Sequence, residues 1–427
     1  MKSDKNILLF FFSIIMLFGV ECAVAQDLPW KAQSPVINQD NSVTINLYLP
    51  KASKVLLKGS FVPQSKSVKT PAGVFGKEGS YEMERSSNGL WSYTTAPLNG
   101  EMYTYYFEAD GVAMTDPKNP NKLRQVNDFY SFFMIDEGIG ADYIQHDVPH
   151  GKVEQIWYPS SLKKLPQRRL SIYFPPSYNS SISYPVLYLL HGSGGNELSW
   201  VECGRAAQIL DNLIFQERCV PMVVVMPNGI ANAASAPLND SIKVKATNLE
   251  SMKGVIEKSF QKDIINFIES TYPNVGGSKD LRAIAGLSLG GLHTLYISAN
   301  YPDMFDYVGL FSAQTVPGRV KNIMDYLPFL KNGKLGTRVQ KIAQALEGSG
   351  YEMYDNLDAK LKEQFSQPPK LYYIAVGEDD FVLKINDDFR AVLDAGGYKY
   401  EYHQSGGGHT WENWRSYLVD FLPRLFR

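Results

Sequence analysis

The pentapeptide Gly286-Leu287-Ser288-Leu289-Gly290 joins a short apolar run, residues 281–285, to a helix-compatible stretch, residues 291–299. The run suits a central parallel strand buried on both faces. A G-x-S-x-G sequence between strand and helix is a nucleophile elbow, in which the serine occupies a strained corner that lifts its hydroxyl above the sheet. Glycine is required on either side because strand and helix approach too closely for a Cβ. Outside this setting the same five residues would be a glycine-rich turn.

The surrounding pattern supports the elbow. Strand candidates at 170–174, 186–190 and 221–226 alternate with helical stretches, one of which, 256–272, puts Phe260, Ile264, Phe267 and Ile268 on one stripe. Alternating strands and helices imply a mostly parallel sheet covered on both faces. With the elbow, this is the pattern of an α/β-hydrolase.

A serine hydroxyl needs a base within hydrogen-bond reach and a carboxylate to orient that base. In this pattern both should follow the serine, acid before histidine. Residues 371–376 form a strand candidate ending in Gly377-Glu378-Asp379-Asp380, which offers Asp380 as the acid, with Asp379 as the alternative. A strand candidate at 398–402 leads to Gly406-Gly407-Gly408-His409-Thr410-Trp411. Of the six histidines, His409 alone has the expected order and loop context. His146 and His150 precede the core, His293 lies in the helix after the serine, and His403 is in or at the end of a strand. The oxyanion hole should combine the Leu289 amide with one from an earlier strand-to-helix loop. His191-Gly192-Ser193-Gly194-Gly195 fits that loop, with the Ser193 amide as donor, Gly194 beside the substrate and His191 as a brace. Trp411 is a candidate for lining the substrate site, while Trp414 could do so or pack the final helix. This chemistry requires no metal and no organic cofactor.

The N-terminal third reads differently. Short segments at 42–49, 54–59, 90–95 and 102–109 are rich in Val, Tyr, Phe and Thr and separated by turn residues, as in an all-β sandwich. Within 102–108, Tyr103, Tyr105 and Phe107 alternate with Thr104, Tyr106 and Glu108, giving one core face. Trp91 is either a core residue or a sugar-stacking one. The expected organisation is a signal peptide over 1–25, an immunoglobulin-like sandwich over 26–136, a linker over 137–159, and the α/β-hydrolase over 160–427 with an insertion at 316–366. That insertion is a candidate lid.

Lys2 and Lys5 before the apolar stretch 7–20, with Ala23-Val24-Ala25 after it, form a cleavable export signal, placing the mature chain in the periplasm or outside the cell. The stretch is shorter than the ~20 residues a spanning helix needs, so no membrane insertion is expected after cleavage. Cys203 and Cys219 then remain, as one disulfide or two buried thiols. A net charge of −2 supplies no basic field for nucleic acid.

Several motifs together resemble carbohydrate esterase family 1: His191-Gly192-Ser193-Gly194-Gly195 with Trp200, Met226-Pro227-Asn228-Gly229, the elbow, Val376-Gly377-Glu378-Asp379-Asp380 and Gly407-Gly408-His409-Thr410-Trp411. The resemblance spans about 148–427. It implies Ser288 as nucleophile, His409 as base, Asp380 as acid and Ser193 as first oxyanion donor. It also implies feruloyl or acetylxylan esterase activity on an ester-bearing plant polysaccharide or oligosaccharide; a siderophore esterase or a non-catalytic glycan-binding protein is the alternative. In the N-terminal part, Leu57-Lys58-Gly59-Ser60-Phe61, Gly89-Leu90-Trp91, Tyr105-Tyr106-Phe107-Glu108-Ala109-Asp110-Gly111 and Asp116-Pro117 resemble early-set immunoglobulin-like domains related to carbohydrate-binding module family 48.

Overall fold

A computed structural model describes residues 28–427 apart from 64–65, 71–72, 78, 126–127, 163–164, 232–253 and 316–351. The signal sequence and most of the 316–366 insertion lie outside the described residues. At the end of the insertion, Leu357–Gln364 is a helix.

The N-terminal part is antiparallel. Strands β1 (Val43–Tyr48), β2 (Val55–Gly59), β3 (Leu90–Thr94), β4 (Met102–Ala109), β5 (Lys122–Gln125) and β6 (Asp128–Met134) contribute to two facing sheets. Strands β1 and β3 pair in one; β5, β6, β4 and β2 run in that order in the other. Alternation along β4 buries Tyr105 and Phe107, which join Val43, Ile45, Leu57 and Trp91 in one core. Trp91 is a core residue, 4% exposed, and its indole N–H donates to the Leu49 carbonyl.

The C-terminal part is an eight-stranded sheet built from β7 (Lys152–Pro159), β8 (Gln167–Phe174), β9 (Val186–Leu190), β10 (Val223–Pro227), β11 (Arg282–Leu287), β12 (Tyr307–Phe311), β13 (Leu371–Gly377) and β14 (Glu401–Ser405). The spatial order is β7-β8-β10-β9-β11-β12-β13-β14. The first two pairings are antiparallel and the rest parallel. This is an α/β-hydrolase. Alternate residues of β9 feed the two sides: Tyr188 and Leu190 join one apolar cluster, Leu187 and Leu189 the other. Helices α1 (Ala206–Phe215), α2 (Leu289–Asn300) and α3 (Trp411–Phe421) cover these faces. Among the described residues no helix is long and apolar enough to cross a membrane.

Three elements depart from the sequence reading. Residues 152–159, assigned to the linker, are β7, which pairs with β8 along its whole length; Pro149 and Gly151 mark only where the strand begins. Strand β12 was not expected, because it is buried on both faces, so that no alternation marks it, and its short apolar run is interrupted by Gly309, yet it flanks the nucleophile strand. The 398–402 strand is shifted onto 401–405, which places His403 inside it. The helical stretch 256–272 is continuous but widens into a π-helical turn at Phe260–Ile265.

The two parts are joined by a buried contact. Arg415, 2% exposed on α3, donates to the Met102 carbonyl at 3.1 Å, to the Cys203 carbonyl at 2.7 Å and to the Glu101 carboxylate. Met102, Leu123 and Cys203 close around it as a small apolar cluster. Cys203 and Cys219 are separate buried thiols, both pushed up to about 12 by burial.

Candidate active site

Ser288 sits between β11 and α2 with φ +53° and ψ −114°, a conformation L-residues avoid. The structure holds it there from both sides. Its amide donates to Phe311 O at 2.9 Å, and its carbonyl accepts from Gln314 at 3.2 Å. The flanking glycines are sterically required: a Cβ at Gly286 would lie 2.3 Å from Gly290 O, and one at Gly290 2.5 Å from Leu190 O. The strain is thus fixed by close packing of strand, helix and the preceding loop.

His409 Nε2 lies 2.9 Å from Ser288 Oγ, and its Nδ1 lies 2.9 and 3.1 Å from the two oxygens of Asp380. A carboxylate only accepts, so Nδ1 carries the hydrogen and Nε2 is free to take the serine proton. Asp380 is buried and also accepts from the Val382 amide at 3.0 Å. Asp379 is exposed and makes no contact with the imidazole. Phe381 and Trp414 hold the ring from two sides, with centroids 4.3 and 5.0 Å away. Gly407, at φ +77°, turns the loop, and Asn413 ties it down by donating to Gly406 O at 2.7 Å.

The loop after β9 passes directly against the serine, since a Cβ on Gly192 would lie 3.2 Å from Ser288 Cβ. Ser193 lines the same cleft as Ser288. Leu289 is the first residue of α2, where backbone N–H groups have no helical acceptor and the helix dipole favours negative charge. His191 braces this loop. Its Nδ1–H donates to Gly192 O at 2.8 Å, while Nε2 accepts from the Gly229 amide at 2.9 Å. Full burial lowers its pKa to about 4, which keeps the ring neutral.

The cleft, of about 250 Å³, is lined by Ser288, Ser193, Phe381, His409, Trp411 and Gln125 among others. Trp411 lines this cleft, edge-on to Trp200 and Trp414. Gly194 does not line it; at φ +78° it serves the turn, and its neighbours Ser193 and Gly195 reach the cavity. His146 and His150 bond Ala141 O and Asp211 outside the cleft. His293 is buried against Glu257 at 2.7 Å. Sequence reasoning missed Phe381, Gln314 and Gln125. Phe381 adjoins the Gly377–Asp380 motif, Gln314 follows the unexpected strand β12, and Gln125 comes from the sandwich and carries no local signal. Among the described residues no group of three His, Cys, Asp or Glu side chains is placed to hold a metal ion.

A strained serine, a histidine and a buried aspartate on this sheet define an α/β-hydrolase with the geometry for nucleophilic attack on an acyl carbon. The chain belongs to the family described as "Putative esterase", which residues 165–425 match. It is 31% identical over 281 residues to an endo-1,4-beta-xylanase/feruloyl esterase of Xylanibacter ruminicola, covering 61% of this chain and 35% of that one. It is 28% identical to an acetyl esterase of Caldicellulosiruptor saccharolyticus, over 55% of this chain and 80% of that one. The chain thus spans about a third of the first relative's length and most of the second's. The crystal structure of an enterobactin esterase from Shigella flexneri has the same fold, with a TM-score of 0.59 at 17% identity over 93% of this chain and 98% of that one.

Proposed function

We propose that this protein is an exported serine esterase that releases hydroxycinnamoyl or acetyl groups from plant polysaccharides such as xylan. The observation that carries the reading is the unbroken relay from Ser288 through His409 to Asp380. Ser288 Oγ attacks the ester carbonyl as His409 takes its proton; the Leu289 and Ser193 amides hold the oxyanion. The imidazolium, stabilised by Asp380, then protonates the departing alcohol, and water repeats the sequence on the acyl-enzyme. The names of the xylanase/feruloyl esterase and acetyl esterase relatives support the two acyl groups. The lysine-flanked apolar N-terminus supports export, and the sandwich is proposed as an early-set module.

The test is hydrolysis of methyl ferulate and of a simple acetyl ester by the parent and by Ser288→Ala. Loss of a triad member is expected to cost ~10⁴-fold or more in kcat. Turnover that survives the substitution, or no turnover of either ester by the parent, would overturn the reading.

A further inference from the structure

A second cavity, of about 180 Å³, adjoins the catalytic cleft and shares His409, Trp411, Trp414, Gln125 and Cys203 with it. Its remaining lining comes from both parts of the chain: Ser60, Thr104 and Leu123 from the sandwich, Thr410, Glu412 and Arg415 from the hydrolase. Neither Ser288 nor Ser193 reaches it.

His409 must deliver its proton to the leaving oxygen, so the alcohol has to depart on a side that the imidazole borders. The carbonyl oxygen is fixed toward Ser193 and Leu289, and the acyl carbon toward Ser288. The space bordered by His409 alone of these groups is the second cavity. Its lining offers hydroxyls from Ser60 and Thr104, an amide from Gln125, a carboxylate from Glu412 and an aromatic wall from Trp411. Such a mixture of donors and acceptors around one ring face matches a polyhydroxylated alcohol. At well under the roughly 300–1,000 Å³ of drug-sized pockets, it suits one ring, with a longer chain continuing outside. The sandwich wall is part of this site because Arg415 and the Cys203 thiol, which donates to Arg124 O at 3.4 Å, pin β4 and β5 against the hydrolase.

We infer that the cavity between sandwich and hydrolase is the leaving-group subsite, that it takes the sugar of a saccharide ester, and that Gln125 of β5 determines this specificity. The inference rests on the esterase reading above.

The experiment compares two esters of one acyl group, methyl ferulate and ferulate esterified to a pentose-containing oligosaccharide, with acetyl equivalents if acetate is the group released. Parent, Gln125→Ala and Thr104→Val are assayed, the last conserving shape while removing the hydroxyl. The ratio of kcat/KM, sugar ester over methyl ester, is expected to fall about tenfold or more for Gln125→Ala and several-fold for Thr104→Val. Equal losses on both esters, which a folding defect or a purely structural wall would give, overturn the inference, as does a ratio that stays at the parent's value. A parent without Ser288-dependent turnover of any ester instead sinks the esterase reading itself.

Discussion

Asp380 and Asp379 are consecutive, yet only Asp380 meets His409, at 2.9 Å, while Asp379 is exposed at the loop surface. The turn decides between them: Asp380 N donates to Gly377 O and Asp379 N to Gly407 O, which swings one side chain inward and the other out. Asp380→Asn keeps the shape but offers a donor where the imidazole needs an acceptor. Its kcat is expected to fall by ~10³–10⁴ with little change in KM, as for the wrong histidine tautomer. Asp379→Asn should stay within a few-fold of the parent, and steady-state kinetics on one ester would separate the two.

The elbow glycines give a second test. A Cβ at residue 290 would sit 2.5 Å from Leu190 O and 2.6 Å from His191 O, both backbone atoms with nowhere to go. Gly290→Ala should therefore push the loop after β9 away from Ser288. Overpacking of this kind costs roughly 1–3 kcal/mol of stability, and kcat should fall further than the thermal midpoint suggests because the Ser193 amide moves. A variant with parental kcat would show that the loop tolerates the displacement.

His191 makes the stability acid-sensitive. Burial takes its pKa from the ordinary 6.5 to about 4, so the unfolded chain binds the extra proton between those values and the folded chain does not. The stability from the neutral ring is complete above pH 6.5 and is lost as pH falls through 4, by about 3 kcal/mol at most. Denaturant unfolding between pH 4 and 7 should show this slope, and His191→Gln, which cannot titrate, should flatten it. An unchanged slope in the variant would assign the acid sensitivity to other groups.

What could be read from the chain follows from how local each signal is. Ser288 and His409 stand out because each sits in glycine-rich sequence beyond a strand, while the acid stayed open between Asp379 and Asp380 until the turn placed only Asp380 against the imidazole. Tyr105 and Phe107 fall in the sandwich core because alternation is a two-residue signal, whereas Trp91 was placed there only by the structure. Strand β7 was hidden because it lies at the sheet edge and has only one buried residue, Tyr158. Gln125 was invisible for a different reason: it reaches the cleft only because the sandwich docks on the hydrolase, and no short window of sequence encodes a contact with residues 284 positions away, such as His409. The docking itself rests on Arg415, which in sequence is one more charged residue on an amphipathic helix.

That arginine supports the last prediction. Arg415 bonds two backbone carbonyls and the Glu101 carboxylate while almost fully buried, so Arg415→Met removes every polar tie it makes across the interface but keeps the apolar stem. Breaking a buried pair from one side costs roughly 3–5 kcal/mol when the remaining charge cannot escape. Glu101 has an escape: burial already pushes its carboxyl up to about 7, so without the guanidinium it takes a proton. Below about pH 6 the carboxyl holds its proton with or without Arg415, so the loss there should fall below that range, and it should grow as pH rises toward 8, where the parent ionises against the guanidinium and the variant must keep its proton. Thermal midpoints at pH 6 and 8 should show the widening gap between parent and variant, and a second substitution, Glu101→Gln, should remove most of its pH dependence. A gap that stays constant with pH would mean that Arg415 does not govern the Glu101 titration, and that its bond to the Met102 carbonyl is what ties the sandwich to α3.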